Sequence, residues 1–154
     1  MIPDLDPADH AAIDRLQRAY ADGVTMRDWD QVRGLFVADA AISLDLVTRP
    51  LIELAGPEAL TDFVSTALER FSFFQFQIIN SHIEGTADPD AAVARMFMCE
   101  LRLQHGADRR DDTYGLYRDS YRRTDESGYG GWRLSARRYR TVARFPSNDV
   151  FPLA

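Results

Sequence analysis

The sequence predicts an α+β fold, with helices first and an antiparallel sheet after them. Three observations carry this. Apolar residues recur at helical spacing as far as Phe71, the period then drops to two, and turn-rich segments cut the second half into long strands. The first helix begins at "DPADHAAIDRLQRAYADGV". Asp6 can cap it, Pro7 suits the first helical position, and Asp9 sits three residues after the cap. Ile13, Leu16, Tyr20 and Val24 then share one face. A short second helix opens at "DWDQ", capped by Asp28, and would present Val32, Leu35 and Phe36 inward. The third starts at Gly56 and Pro57, with an apolar stripe of Leu60, Phe63, Val64, Ala67, Leu68 and Phe71.

Strands are predicted at about 73–85, 92–105, 111–124 and 131–144, separated by "TADPD", "HGADRRD" and "DESGYGG". A shorter strand, "AAISLD", precedes the third helix and can pair with "TRPLIEL". Residues 1–154 read as a single domain, in keeping with their length. The tail at 145–154 is apolar enough to dock, over the pocket or on a neighbouring subunit.

Composition narrows the chemistry. Hydrophobic content of 45% with 27% charged residues is globular, not disordered. All eighteen basic residues are arginine, which excludes catalysis through a lysine Schiff base. Residues 109–144 carry ten arginines against five acids, a local charge of +5, while the rest of the chain sums to −11. A chain at −6 overall lacks the basic footprint of a nucleic-acid binder, so no nucleic-acid partner is expected. "MIPDLDPADH" lacks the pattern of a signal peptide, and no apolar run approaches about 18 residues, so neither export nor membrane insertion is expected. Cys99 is the single cysteine; with no internal disulfide available, a cytoplasmic location is expected. Cys99 alternates with Phe97 and Leu101 and reads as core. His10, His82 and His105 stand in different elements without ligand spacing, so no metal is expected.

Four stretches carry a resemblance: "YADGVTMRDWDQVRGLFVADA", "GPEALTDFV", "IINSHIE" and "YRDSYRRTDESGYGGWRL". With the element order, they make residues 8–142 similar to the SnoaL-like branch of the nuclear transport factor superfamily. The resemblance implies a cone-shaped α+β barrel, in which three helices from the N-terminal half pack on a curved, mixed but mostly antiparallel sheet around an apolar pocket. Relatives include scytalone dehydratase, hexachlorocyclohexane dehydrochlorinase, ketosteroid isomerase and polyketide cyclases. The Asp–His dyad of the dehydratase type falls on Thr25 and Phe76, neither of which can serve as a base. A further pocket histidine of related sequences falls on Arg118.

By the two-residue period, Phe74, Phe76, Ile78, Asn80 and His82 share a face. His82 is six residues beyond Phe76, roughly 20 Å along an extended strand, and cannot reach the same spot. Resemblance to ketosteroid isomerase instead points to Tyr20 as a hydrogen-bond donor and Asp119 as acid or base. Tyr117 and Tyr121 flank Asp119 on the same strand face. The isomerase's proton-shuttling aspartate falls on Leu44, one residue short of Asp45.

The expected function is therefore a cofactor-independent isomerase, cyclase or dehydratase acting on a small apolar cyclic molecule. Asp119 and Tyr20 would be catalytic. Thr25, Asp45, Phe76, Asn80, Tyr117 and Tyr121 would line the substrate. A homodimer or homotrimer is expected through the outer sheet face. The alternative is a non-catalytic binding or assembly module resembling the β subunit of aromatic-ring dioxygenases, which the empty dyad favours.

Overall fold

The computed structural model describes residues 2–153. Helix α1 (Pro7–Met26) begins as its sequence dictates: the Asp6 side chain accepts from the Ala8 N–H at 2.8 Å, with Pro7 in the first turn. Its expected stripe of Ile13, Leu16, Tyr20 and Val24 is buried. Arg27, in the left-handed region, ends the helix, and the Asp28 N–H returns to the Gly23 carbonyl at 2.8 Å. Helix α2 (Trp29–Arg33) is capped by Asp28 onto the Gln31 N–H. It lies so close to α1 that a Cβ at Gly23 would meet Val32 at 2.8 Å. Leu35 and Phe36 do not belong to it. The chain leaves the helix at Gly34, and Phe36 opens the first strand. Helix α3 spans Gly56–Leu68.

The strands are β1 (Phe36–Asp45), β2 (Ile52–Ala55), β3 (Phe71–Gly85), β4 (Ala91–Gln104), β5 (Asp112–Arg123), β6 (Trp132–Phe145) and β7 (Asp149–Val150). They form one mixed sheet in the order β2-β1-β6-β5-β4-β3, with β7 also on β6. Only β1 and β6 run parallel; the other pairs are antiparallel. The three helices pack on this curved, open sheet, as the sequence predicts. Bulges in β3, β5 and β6 pairings bend the strands and re-aim side chains.

One bulge overturns a sequence expectation. Ile79 is an extra residue between Ile78, opposite Met98, and Asn80, opposite Phe97. Phe74 and Phe76 therefore face inward with buried side chains, while Asn80 and His82 turn out to solvent. A second correction concerns β4. Ala92, Ala94, Met96 and Met98 form its buried inner face, which continues into Glu100 and Arg102. Cys99 is buried on the opposite face, outside the main core cluster.

A charged clip joins the N-terminal helix to the far end of the sheet. The Asp9 carboxylate, instead of completing a capping box, accepts two 2.9 Å bonds from Arg123 and one at 3.0 Å from Trp132 Nε1. The hydrogen bond from Arg123 is the main reason its carboxyl is held below the usual range, against the opposing effect of burial. Asp9→Ala should therefore cost about 2 kcal/mol of stability, the scale of a hydrogen bond to a charged group. Urea unfolding at neutral pH measures it. Because the folded state lowers this pKa, the difference should shrink as pH falls below the ordinary carboxylate range.

Candidate functional site

The interior between helices and sheet divides into a filled polar layer and an open cavity. The filled layer centres on Asp119 of β5, which is buried on the inner face alongside Tyr117 and Tyr121. It is not a free acid. Arg137, its directly opposed residue on β6, donates from Nε and Nη2 to the two carboxylate oxygens, both at 2.8 Å. Tyr121 Oη donates a third bond to Asp119 at 2.9 Å and accepts from Gln17 Nε2 at 3.0 Å; Ser81 Oγ donates to Gln17 Oε1 at 2.5 Å.

Arg137 is fully buried, its guanidinium between two rings at 4.2 Å from the Tyr20 centroid and 4.1 Å from that of Tyr117. Burial opposes its charge, yet Asp119 and the tyrosines more than compensate and keep it cationic. Its Nη1 has no acceptor among the described residues. The expected role of Asp119 as an unpaired acid or base is thus corrected by geometry. A carboxylate with three charge-assisted or phenolic donors has its lone pairs committed.

The dyad positions do meet. Thr25 Oγ1 accepts from the Phe76 backbone N–H at 3.0 Å. The Phe76 ring lies edge-on to Tyr20 (5.5 Å between centroids) and stacks on Tyr117 (6.0 Å). The pair is a packing contact in place of a proton relay. Asp45 does not reach the interior: it pairs with Arg140 and accepts from the Val47 N–H, and Leu44 faces the cavity instead. Asn80 is solvent-exposed through the β3 bulge. Arg118 stands on the outer face, opposite Arg95 and Arg138 on its neighbouring strands. His82 is exposed and bonded to Glu84 at 2.6 Å. The tail docks away from the cavity: the Phe151 N–H reaches the Val142 carbonyl, and Arg140 and Arg118 donate to the Pro152 and Leu153 carbonyls.

The open part of the cone is a cavity of about 130 Å³. Phe63, Val64 and Ala67 of the α3 stripe wall one side, which is why they are only half-buried. Tyr117 and Tyr139 line the sheet side with Glu100 and Arg102, and Tyr20 of α1 completes the lining. Tyr139 fits there because residue 115 is glycine: a Cβ would stand 2.1 Å from its ring.

Glu100 is the residue that the sequence reading missed. It is directly opposite Phe76 across β3 and β4, so a carboxylate stands one strand over from the position that the resemblance assigns to histidine. Its one side-chain polar contact among the described residues is a 3.4 Å approach to Arg102. Arg102 itself is held more tightly by Asp111, at 2.8 Å to the carboxylate and 2.9 Å to the carbonyl. Burial is the largest influence on Glu100, and it raises the pKa above the ordinary 4.5 despite Arg102. Burial likewise raises the pKa of Tyr20, Tyr117 and Tyr139, so all three phenols stay protonated and can donate. Among the described residues, no group of three or more His, Cys, Asp or Glu could hold a metal ion. No helix among the described residues is long and apolar enough to cross a membrane.

Residues 7–138 match the SnoaL-like domain. The chain belongs to that family. Several solved structures share the fold. A scytalone dehydratase candidate from Novosphingobium aromaticivorans aligns with a TM-score of 0.75 at 19% identity, covering 95% of this chain and 89% of its own. The hexachlorocyclohexane dehydrochlorinase LinA-type3 of Novosphingobium barchaimii gives 0.75 at 21% identity, covering 94% and 96%. An NTF2-like protein of Pseudomonas putida gives 0.69 at 14% identity, covering 96% of each chain. No curated protein matches the sequence significantly.

Two substitutions test this site. Asp119→Asn should destabilise the fold by about 3–5 kcal/mol, the cost of leaving a buried charge without its partner, as measured by chemical denaturation. Glu100→Gln should behave oppositely. A carboxyl whose pKa is raised by folding destabilises the native state once pH exceeds its unfolded value, because only the unfolded chain then ionises freely. The variant should be more stable than the parent at neutral pH, and the gap should close below about pH 4. Thermal unfolding across pH measures it.

Proposed function

We propose that the protein is a cofactor-independent acid–base enzyme on a small cyclic carbonyl compound, with Glu100 as the proton-transferring group. The observation that supports this is a sparsely paired carboxyl of raised pKa facing an apolar cavity beside three protonated phenols. In this reading Glu100 takes a proton from the carbon next to the carbonyl. Hydroxyl groups of the cavity's tyrosines donate to the oxygen as it becomes an enolate, and Glu100 returns the proton at the same or a neighbouring carbon. Isomerisation, cyclisation and elimination all begin with this step. Asp119 and Arg137 lie behind the tyrosines; the guanidinium between Tyr20 and Tyr117 favours hydrogen-bond donation by those phenols.

The second reading is a non-catalytic binding module. It is favoured by Thr25 and Phe76 at the dyad positions and by the committed lone pairs of Asp119.

Deuterium exchange at the α-carbons of cyclohexanone, followed by NMR in deuterated buffer, separates the two. The parent should accelerate exchange over buffer, and Glu100→Gln should lose at least about 10²-fold of that rate, the scale of a general base. His82→Ala should stay within a few-fold. No acceleration by the parent, or full activity in Glu100→Gln, replaces the enzyme reading with the binding module.

A further inference from the structure

Charge at the mouth of the cavity specifies its ligand further. Arg49, Arg70 and Arg102 all border the opening, with Glu100 the single acid among the lining residues. Arg102 is neutralised by Asp111. Arg49 and Arg70 form no ion pair or side-chain hydrogen bond with any described residue. Arg70 is nevertheless held in place. Its guanidinium carbon lies 4.9 Å from the centroid of Phe71, and Arg102 sits over the same ring at 5.0 Å. Phe71 is buried and lines the cavity, so the stacked Arg70 is fixed at the rim. Glu100 approaches Arg102 at 3.4 Å and makes no ion pair with Arg49 or Arg70, so a single lining acid faces two guanidinium groups that have no acid of their own.

Size sets a second limit. A dry cavity of about 150 Å³ lined by apolar side chains takes up benzene. The present cavity, at about 130 Å³, has room for one six-membered ring.

We propose that the cavity binds monocyclic carboxylates, with the ring against Phe63, Val64 and Leu60 and the carboxylate at the rim between Arg49 and Arg70. This rests on the reading that the cavity is the substrate site, and it narrows the substrate class to a ring carrying an anionic group. Two exposed guanidinium groups contribute modestly in water, so the charge should be worth about tenfold in affinity at low salt. Glu100 opposes a bound carboxylate whenever it is ionised; removing its charge should not weaken binding.

Calorimetric titration with benzoate and benzamide tests this, since the two probes share ring and shape and differ in charge. Benzoate should bind about tenfold more tightly than benzamide in low salt, with the advantage shrinking as salt is raised. The Arg49→Gln/Arg70→Gln double variant should bind the two equally, with an unchanged circular dichroism spectrum. Equal affinities in the parent overturn the proposal. So does no binding of benzoate, or a preference that survives the double substitution. Glu100→Gln makes the two readings separable. If it loses deuterium exchange and keeps the benzoate preference, both stand. If the parent prefers benzoate but catalyses no exchange, only the catalytic reading falls. If exchange depends on Glu100 while benzoate and benzamide bind alike, only the carboxylate proposal falls.

Discussion

The pairing of Asp119 with Arg137 is the constraint around which the interior is arranged. A fully buried guanidinium is tolerable only if its charge is matched, and β5 and β6 achieve this by setting the two residues directly opposite each other, so that Nε and Nη2 both donate to the carboxylate. Tyr121 and Gln17 extend the network to α1, and Ser81 ties in β3. The rings of Tyr20 and Tyr117 then close over the cation from the other side. One ion pair thus fixes the spacing of α1, β3, β5 and β6. It also makes a polar floor under the cavity, with tyrosines as its surface.

That floor explains how the two carboxylates of the cone differ. The deep one takes three donors, whereas Glu100, nearer the opening, is half-buried with one long contact. The two carboxylates differ in their partners: Asp119 accepts from Arg137 and Tyr121, and Glu100 meets only Arg102 among the described residues. The family's dyad positions retain their adjacency but hold a hydroxyl and a ring.

Much of this was legible in the sequence, and the reasons for the misses are physical. Helices α1 and α3 and the four long strands follow from periodicity, caps and turns, because local preference and tertiary packing agree there. Asp119, Tyr117 and Tyr121 were rightly placed on one face, since a strand's period is two. Arg137 as their partner was not readable: eighteen arginines offer no way to choose the one in register until the β5–β6 pairing is known. Asn80 was lost to the Ile79 bulge, which leaves no trace in an alternation of apolar and polar residues. Glu100 escaped notice because the alternation of Phe97, Cys99 and Leu101 reads as the core face of that strand. The inner face of β4 ends in Glu100 and Arg102 because it runs out from the core to the cavity mouth, and apolar content alone points the wrong way at such a boundary.

The contact between Gly115 and Tyr139 gives the cavity a built-in adjustment. The Tyr139 ring lies across β5 in space that any other residue at 115 would occupy, so the two positions trade volume. An alanine at 115 would push the ring off its seat toward the cavity and reduce the room available. A smaller residue at 139 would add the vacated shelf above Gly115 to the chamber, leaving the Asp119–Arg137 floor intact. The size of acceptable ring is thereby set by one pair of neighbouring residues on adjacent strands. Such a pair allows descendants of this chain to drift between narrow and roomy chambers without rebuilding the cone.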